Sequence, residues 1–172
     1  MARVFIGIGS NIEPERNVRS ALKLLSDVID ITGISKFYRC LAIDRPEQPD
    51  YYNGVIQAIT GLAPHDLKAE LGSIEHKLGR VRTDDVYAAR TIDLDLLVYD
   101  ELVTHGDLTL PDPDIRRRSF LALSLFELEP SLMLPDSRER VSDIAKAFSR
   151  DDLTPLEEFT QELRRDFLHN GR

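Results

Sequence analysis

Two acids one residue apart, Asp93 and Asp95, sit inside the apolar run "RTIDLDLLVYD" at residues 90–100. Side chains alternate along a strand, so both carboxylates point to one face with Thr91 and Leu97. Ile92, Leu94, Leu96 and Val98 then point to the other face, into a core. Two ionised carboxylates side by side repel, and partial desolvation adds to the cost. A cation resolves the conflict. Oxygen ligands of this kind suit Mg²⁺, which takes one or two carboxylates together with substrate phosphates and water. Arg80, Arg82 and Arg90 fall just before the pair, and the planar donor fork of arginine matches phosphate oxygens. A bare D-x-D is equally compatible with an exposed sheet face whose acids sit in water. The neighbouring arginines favour a metal–nucleotide site.

The elements that must position these groups follow from periodicity. "VFIGIGS" (4–10) is a short buried strand ending in a loop, and Pro14 suits the first turn of the helix after it. Val18, Ala21, Leu22, Leu25 and Val28 recur at helical spacing. "ITGISKFYRCLAI" (31–43) reads as one strand, "DRPEQPDY" (44–51) as a connector, and "YYNGVIQAITGL" (51–62) as another strand. Pro64 opens a second helix whose Leu67, Leu71, Ile74 and Leu78 form a stripe, with Gly79 at its C′ position. A polar loop (80–89) precedes the acid-bearing strand. The order β-α-β-β-α-β predicts an α+β fold with a ferredoxin-like, mainly antiparallel sheet. A hairpin at 102–110, a helix near 115–127 and charged helical stretches at 141–150 and 156–168 should follow.

The chain of 172 residues, 42% hydrophobic and 30% charged, is expected to form a single domain, residues 1–172, with an extra C-terminal helical segment near 151–172. A net charge of −8 argues against nucleic-acid partners, which need a basic surface. One cysteine, Cys40, cannot form an internal disulfide. The apolar stretch between Arg3 and Ser10 is too short for a signal sequence, and no run reaches membrane-spanning length. A cytoplasmic protein with no membrane partner is expected. Neither a P-loop nor a dinucleotide-binding glycine motif is present, and the histidines at 65, 76, 105 and 169 lack metal-ligand spacing.

"GIGSN" (7–11), "FYR" (37–39), "QPDYYNGV" (48–55), "IEHKLGRVR" (74–82) and "RTIDLDLL" (90–97) occur in an order and spacing that resembles the 6-hydroxymethyl-7,8-dihydropterin pyrophosphokinase family, over residues 3–137. The resemblance implies a three-layer αβα arrangement of the ferredoxin-like core. It also implies transfer of pyrophosphate from ATP to the pterin hydroxymethyl group, with release of AMP, in folate biosynthesis. By that likeness Asp93 and Asp95 hold two Mg²⁺ ions. Glu75, Arg80, Arg82, Arg90, Leu96, Thr109 and Arg118 line the nucleotide side, with Arg80, Arg90 and Asp95 in catalytic roles. Gly9, Cys40, Ile43, Tyr51, Asn53 and Phe120 form the pterin side. The implied partners are these small molecules, and a monomer is expected.

Several residues depart from the family pattern. "CLAIDR" (40–45) replaces a Pro-rich segment, Ala88 and Ala89 replace a Gly-Pro pair, and Tyr87 stands where tryptophan is frequent. Asp112 takes a histidine position, Asp107 a basic one, and Gly72 a polar one. Two other readings therefore stand beside the first: an altered acceptor, or a pterin- or nucleotide-binding protein of the same fold with little turnover. "RRR" at 116–118 offers positive charge to offset the acids.

Overall fold

The computed structural model describes residues 1–42, 45–80, 84–85 and 89–168. Strand β1 (Ala2–Ser10) leads to helix α1 (Pro14–Ser26), then to β2 (Asp30–Ile34), β3 (Tyr38–Cys40) and β4 (Tyr51–Thr60). Helix α2 (Pro64–Lys77) precedes β5 (Asp93–Tyr99). A 3₁₀ turn (Pro113–Arg116), α3 (Ser119–Leu128), α4 (Val141–Lys146), β6 (Thr154–Pro155) and α5 (Glu157–Phe167) complete the chain. The sheet runs β5-β1-β4-β3-β6, with β2 pairing the far half of β4, and every described pair is antiparallel. The α+β, ferredoxin-like expectation is met, and so are both Pro-initiated helices.

Alternation along the strands divides the apolar residues between two cores. Val4, Ile6, Ile8, Ile56 and Ala58 pack with Ile92, Leu94 and Leu96 against Val18, Leu22 and Leu25 of α1, Leu67, Leu71 and Ile74 of α2, and Phe159 and Leu163 of α5. Phe5, Val55 and Leu97 pack on the opposite face against Leu121 and Leu125 of α3 and Val141 and Ile144 of α4. Each fully buried Leu or Ile contributes roughly 1.5–3 kcal/mol, so the two clusters supply the main driving force for the three-layer αβα arrangement.

Four expectations need correction. Val98 joins the second core, not the first, because the register slips between Phe5 and Ile6 and a bulge falls at Leu97. The strand expected over 31–43 breaks at Ser35–Phe37: Ser35 still donates to Val55 of β4, but the Lys36 N–H turns to Glu127 and both Phe37 backbone groups turn to partners outside the sheet. The 102–110 hairpin reduces to one bridged pair, Thr104 with Leu110. The helix near 115–127 starts as a 3₁₀ turn, because Asp112 Oδ1 accepts the Asp114 N–H at 2.8 Å and pins a tight first turn.

Candidate active site

One lateral row of residues organises the site. Gly9 of β1 is paired with Asp93 of β5 on one side and with Asn53 of β4 on the other, and Tyr38 of β3 continues the row beyond Asn53. Directly paired residues project to the same face, so the Asp93 and Asn53 side chains rise together with the glycine between them. Adjacent strands are about 4.8 Å apart, which sets the two roughly 10 Å from each other. Gly9 is required by close approach: a Cβ there would lie 2.6 Å from Asn53 Oδ1. Cys40 lies opposite Tyr51, and its thiol donates to the Tyr38 carbonyl at 3.8 Å. Burial pushes the Cys40 thiol up from its ordinary value, and the nearby Asn53 amide draws it partly back.

At the β5 end the acids and arginines converge. Asp93 accepts from Arg80 Nη1 at 2.8 Å on one oxygen and from Arg90 Nη1 at 2.7 Å on the other. Arg80 also pairs with Glu75, a buried residue of α2 whose Oε2 accepts the Leu94 N–H at 3.0 Å. Burial works against the Arg80 charge, but Asp93 and Glu75 outweigh it and hold the guanidinium above its usual value. Asp95 opens to solvent in a cleft with dense protein behind it. Desolvation by that surrounding protein first, and then the charges of Asp93, Asp112 and Glu75, push its carboxyl up to about 8, with Arg80 pulling back. The donor chemistry fits a hard cation, since two carboxylates share a face and one carries repulsion that a cation would relieve.

The cleft, of about 500 Å³, joins α2 to β5 and the following loops. Lys68, Gly72 and Glu75 line it from one face of α2, and Arg80, Arg90, Leu96, Thr109 and Arg118 complete its walls, so the described residues expected on the nucleotide side are gathered together. Asp107 and Asp112 line it too, and burial raises the Asp112 carboxyl against the pull of the Asp114 N–H. Of the three arginines at 116–118, Arg118 faces the cleft. Arg116 is turned to Asp136, Ser137 and Glu139 at 2.8–3.1 Å. Gly9, Cys40, Tyr51 and Asn53 form an adjoining group outside the cleft walls. The Tyr51 hydroxyl, raised by burial, feels Arg90, Asp93, Arg80 and Arg118, which ties the two groups together. Phe120 lies half-buried in the first turn of α3 and packs on the second core. Ile43, Arg82, Tyr87 and Ala88 lie outside the described residues.

Three further residues build the site, none of them assigned a role from the sequence. Buried Asn11 donates to Gln48 Oε1 at 3.1 Å and to the Pro49 carbonyl at 3.3 Å, and its Oδ1 accepts the Arg90 N–H at 2.8 Å. One amide thus fixes both the connector before Tyr51 and the arginine before Asp93. Ser10 donates to the Thr91 carbonyl at 2.6 Å and secures the same junction. Lys68 reaches over the cleft to the Asp107 carbonyl. Its exposed helix position gave no reason to single it out, whereas Ser10 and Asn11 could have been noted from "GIGSN" as polar residues at a strand end.

The antiparallel ferredoxin-like sheet thus gathers paired acids and arginines beside an adjoining amide group. The sequence pattern of the 7,8-dihydro-6-hydroxymethylpterin-pyrophosphokinase family matches residues 5–130, and the chain belongs to that family. A 2-amino-4-hydroxy-6-hydroxymethyldihydropteridine pyrophosphokinase of Haemophilus influenzae is 35% identical over 153 residues, covering 87% of this chain and 94% of the relative. The Aquifex aeolicus protein of the same name is 30% identical, covering 83% and 90%. Among solved structures, the wild-type HPPK-DHPS of Plasmodium falciparum superposes with a TM-score of 0.70 at 10% identity, over 90% of this chain and 47% of that one. The chain therefore spans about half the length of that structure, and the likeness there concerns the fold.

Proposed function

We propose that this chain transfers pyrophosphate from ATP to the hydroxymethyl group of 6-hydroxymethyl-7,8-dihydropterin, releasing AMP, as a step of folate biosynthesis. The acceptor oxygen bonds to the β-phosphorus while the bond from that phosphorus to the oxygen bridging the α-phosphate breaks. The hydroxyl proton is lost and AMP departs. The observation that carries this reading is the row Asp93–Gly9–Asn53 across three strands, which sets phosphate-handling groups one glycine away from an amide suited to a heterocycle edge.

On this reading Asp93 and Asp95 hold two Mg²⁺ ions, which would neutralise the triphosphate and orient it. Arg80 and Arg90 bind and orient phosphate oxygens, with Glu75 fixing Arg80 and the strand between the two acids. Leu96 and Thr109 bound the nucleotide, and Arg118 and Arg82 supply further charge to it. Asn53 both donates and accepts, which matches the amide-like edge of a pterin. Tyr51, Cys40, Gly9, Ile43 and Phe120 enclose that ring. Positioning and charge neutralisation suffice for phosphoryl-type transfer, and the chain needs no covalent intermediate. We further propose a single catalytic domain acting as a cytoplasmic monomer. What supports this is the acidic, mixed surface, the scattered exposed apolar side chains, and the fact that no described helix is long and apolar enough to cross a membrane. The test is AMP formation from ATP, Mg²⁺ and the pterin, with product mass matching the pterin pyrophosphate. Release of ADP would overturn the assignment.

A further inference from the structure

The family pattern ends at residue 130, yet the segment beyond residue 150 returns to the β3 edge of the sheet, beside the pterin group. Where the expected long strand breaks, at Ser35–Phe37, both backbone groups of Phe37 take their partners from that segment. The Phe37 N–H donates to Thr160 Oγ1 at 2.9 Å, and the Phe37 carbonyl accepts the Leu156 N–H at 2.8 Å. Arg164 Nε donates to the Ile34 carbonyl at 2.9 Å. Strand β6 then pairs with β3, Pro155 opposite Tyr38 and Thr154 opposite Arg39.

Packing reinforces these bonds. Phe37, Tyr52 and Phe159 form an edge-to-face cluster with ring centroids 5.7 Å apart in each contact. Phe37 is fully buried, and its ring approaches β4 so closely that a Cβ at Gly54 would meet it at 2.6 Å. Gly54 follows Asn53 directly. Strand β3 has three residues, too few to hold a register alone, and its register sets Tyr38 opposite Asn53 and Cys40 opposite Tyr51.

We propose that the C-terminal segment 154–164 is a positioning element for the pterin side, and that Thr160 is its central positioning residue. By satisfying both backbone groups of Phe37, the segment sets the register of β3 on β4 and so the geometry of Cys40, Tyr51 and Asn53. It acts on the acceptor without touching the nucleotide cleft, whose groups lie on α2, β5 and the loops that flank β5. This inference rests on the functional reading above.

Thr160→Val keeps the shape of this buried side chain and removes the acceptor of the Phe37 N–H. The KM for the pterin should rise about 5- to 20-fold, the size of one lost buried hydrogen bond. The kcat at saturating pterin should stay within about twofold, as should the dissociation constant for a non-hydrolysable ATP analogue with Mg²⁺. Thr160→Ser, which retains the hydroxyl, should restore the parental KM. Amide exchange over residues 37–40 should quicken in the valine variant alone. If that variant is too unstable to assay, Phe159→Leu, which loosens the aromatic cluster and keeps the bond, should raise the same KM in the same selective way. An unchanged pterin KM, or equal losses of pterin and ATP affinity, would overturn the proposal. A parent protein that turns over no pterin would instead overturn the functional reading on which it stands.

Discussion

Glu75→Ala tests whether the edge of the sheet is what holds the acid pair in place. Strand β5 is an edge strand, and the Glu75 carboxylate caps it by accepting the Leu94 N–H at 3.0 Å. Leu94 lies between Asp93 and Asp95, so this one bond fixes the backbone carrying both acids. Removing the carboxylate strands a buried donor, at about 1–3 kcal/mol. Arg80 also loses a partner. It keeps Asp93 at 2.8 Å, so the full 3–5 kcal/mol or so of an orphaned buried charge does not apply. Alanine and glutamate differ little in helix propensity. The expected loss is about 2–4 kcal/mol, which for a domain of this size lowers the melting temperature by roughly 4–15 °C. Glu75→Gln keeps an acceptor for the Leu94 N–H and should cost less than half as much. Thermal melts in chelator, with AMP formation measured below the transition, separate stability from positioning. The alanine variant should lose turnover at temperatures where it is folded. An alanine variant that melts with the parent, or a glutamine variant as damaged as the alanine one, would refute the reasoning.

Asp95→Asn should abolish AMP formation yet stabilise the chelator-treated protein at pH 8, by about 1–2 kcal/mol once the cleft's solvent exposure is allowed for. The folded carboxyl keeps its proton up to about 8 while the unfolded one releases it near 4, so the parent loses stability as pH rises through that window. The advantage of the variant should therefore vanish towards pH 4, and melts in which it does not vary with pH would contradict this account. Asn53→Ala should weaken pterin binding by about 1–3 kcal/mol by calorimetry while ATP binding holds; equal pterin affinity would remove Asn53 from the acceptor site. Lys68→Ala and Arg118→Ala should each raise the ATP dissociation constant, less so in high salt, because Asp107 and Asp112 bring negative charge to the same cleft. Arg116→Ala should leave ATP binding alone, since that side chain is committed to Asp136, Ser137 and Glu139; a matching loss in all three would point to a diffuse field instead of contacts.

Much of the architecture was legible because it is local. Period-2 alternation in β1 and β5, helical stripes in α1 and α2, and Pro14 and Pro64 at their starts each leave a mark within a few residues. What escaped depends on partners far along the chain. The break at Ser35–Phe37 takes its partners from Glu127, Leu156 and Thr160, far along the chain, and a two-residue strand such as β6 is too short to show a period. The bulge at Leu97 likewise answers to a register shift against Phe5 and Ile6. For the site, residue type and spacing brought out the acids and arginines, but not Asn11, whose value lies in joining residues 48–49 to residue 90.

The two acids of the D-x-D pair, equivalent in the sequence, are made unequal by the fold. Asp93 projects between Arg80 and Arg90, and each of its oxygens accepts from a guanidinium. Its charge is balanced before any ligand arrives. Asp95 instead faces the cleft, where Asp93, Asp112 and Glu75 all act against its ionisation and Arg80 offsets them incompletely. The repulsion implicit in two neighbouring carboxylates is therefore concentrated on one residue. A cation entering the cleft gains most at Asp95, while at Asp93 it must compete with arginines that themselves suit phosphate oxygens. A triphosphate arriving with its metal offers both exchanges at once: the arginines can turn to phosphate as the carboxylates turn to the metal. Coupled exchange of this kind predicts that Mg²⁺ alone binds weakly and that Mg²⁺ and ATP bind cooperatively. Calorimetry of Mg²⁺ with and without a non-hydrolysable ATP analogue measures that coupling, and equal Mg²⁺ affinity in the two titrations would show that the arginines do not move between the two partners.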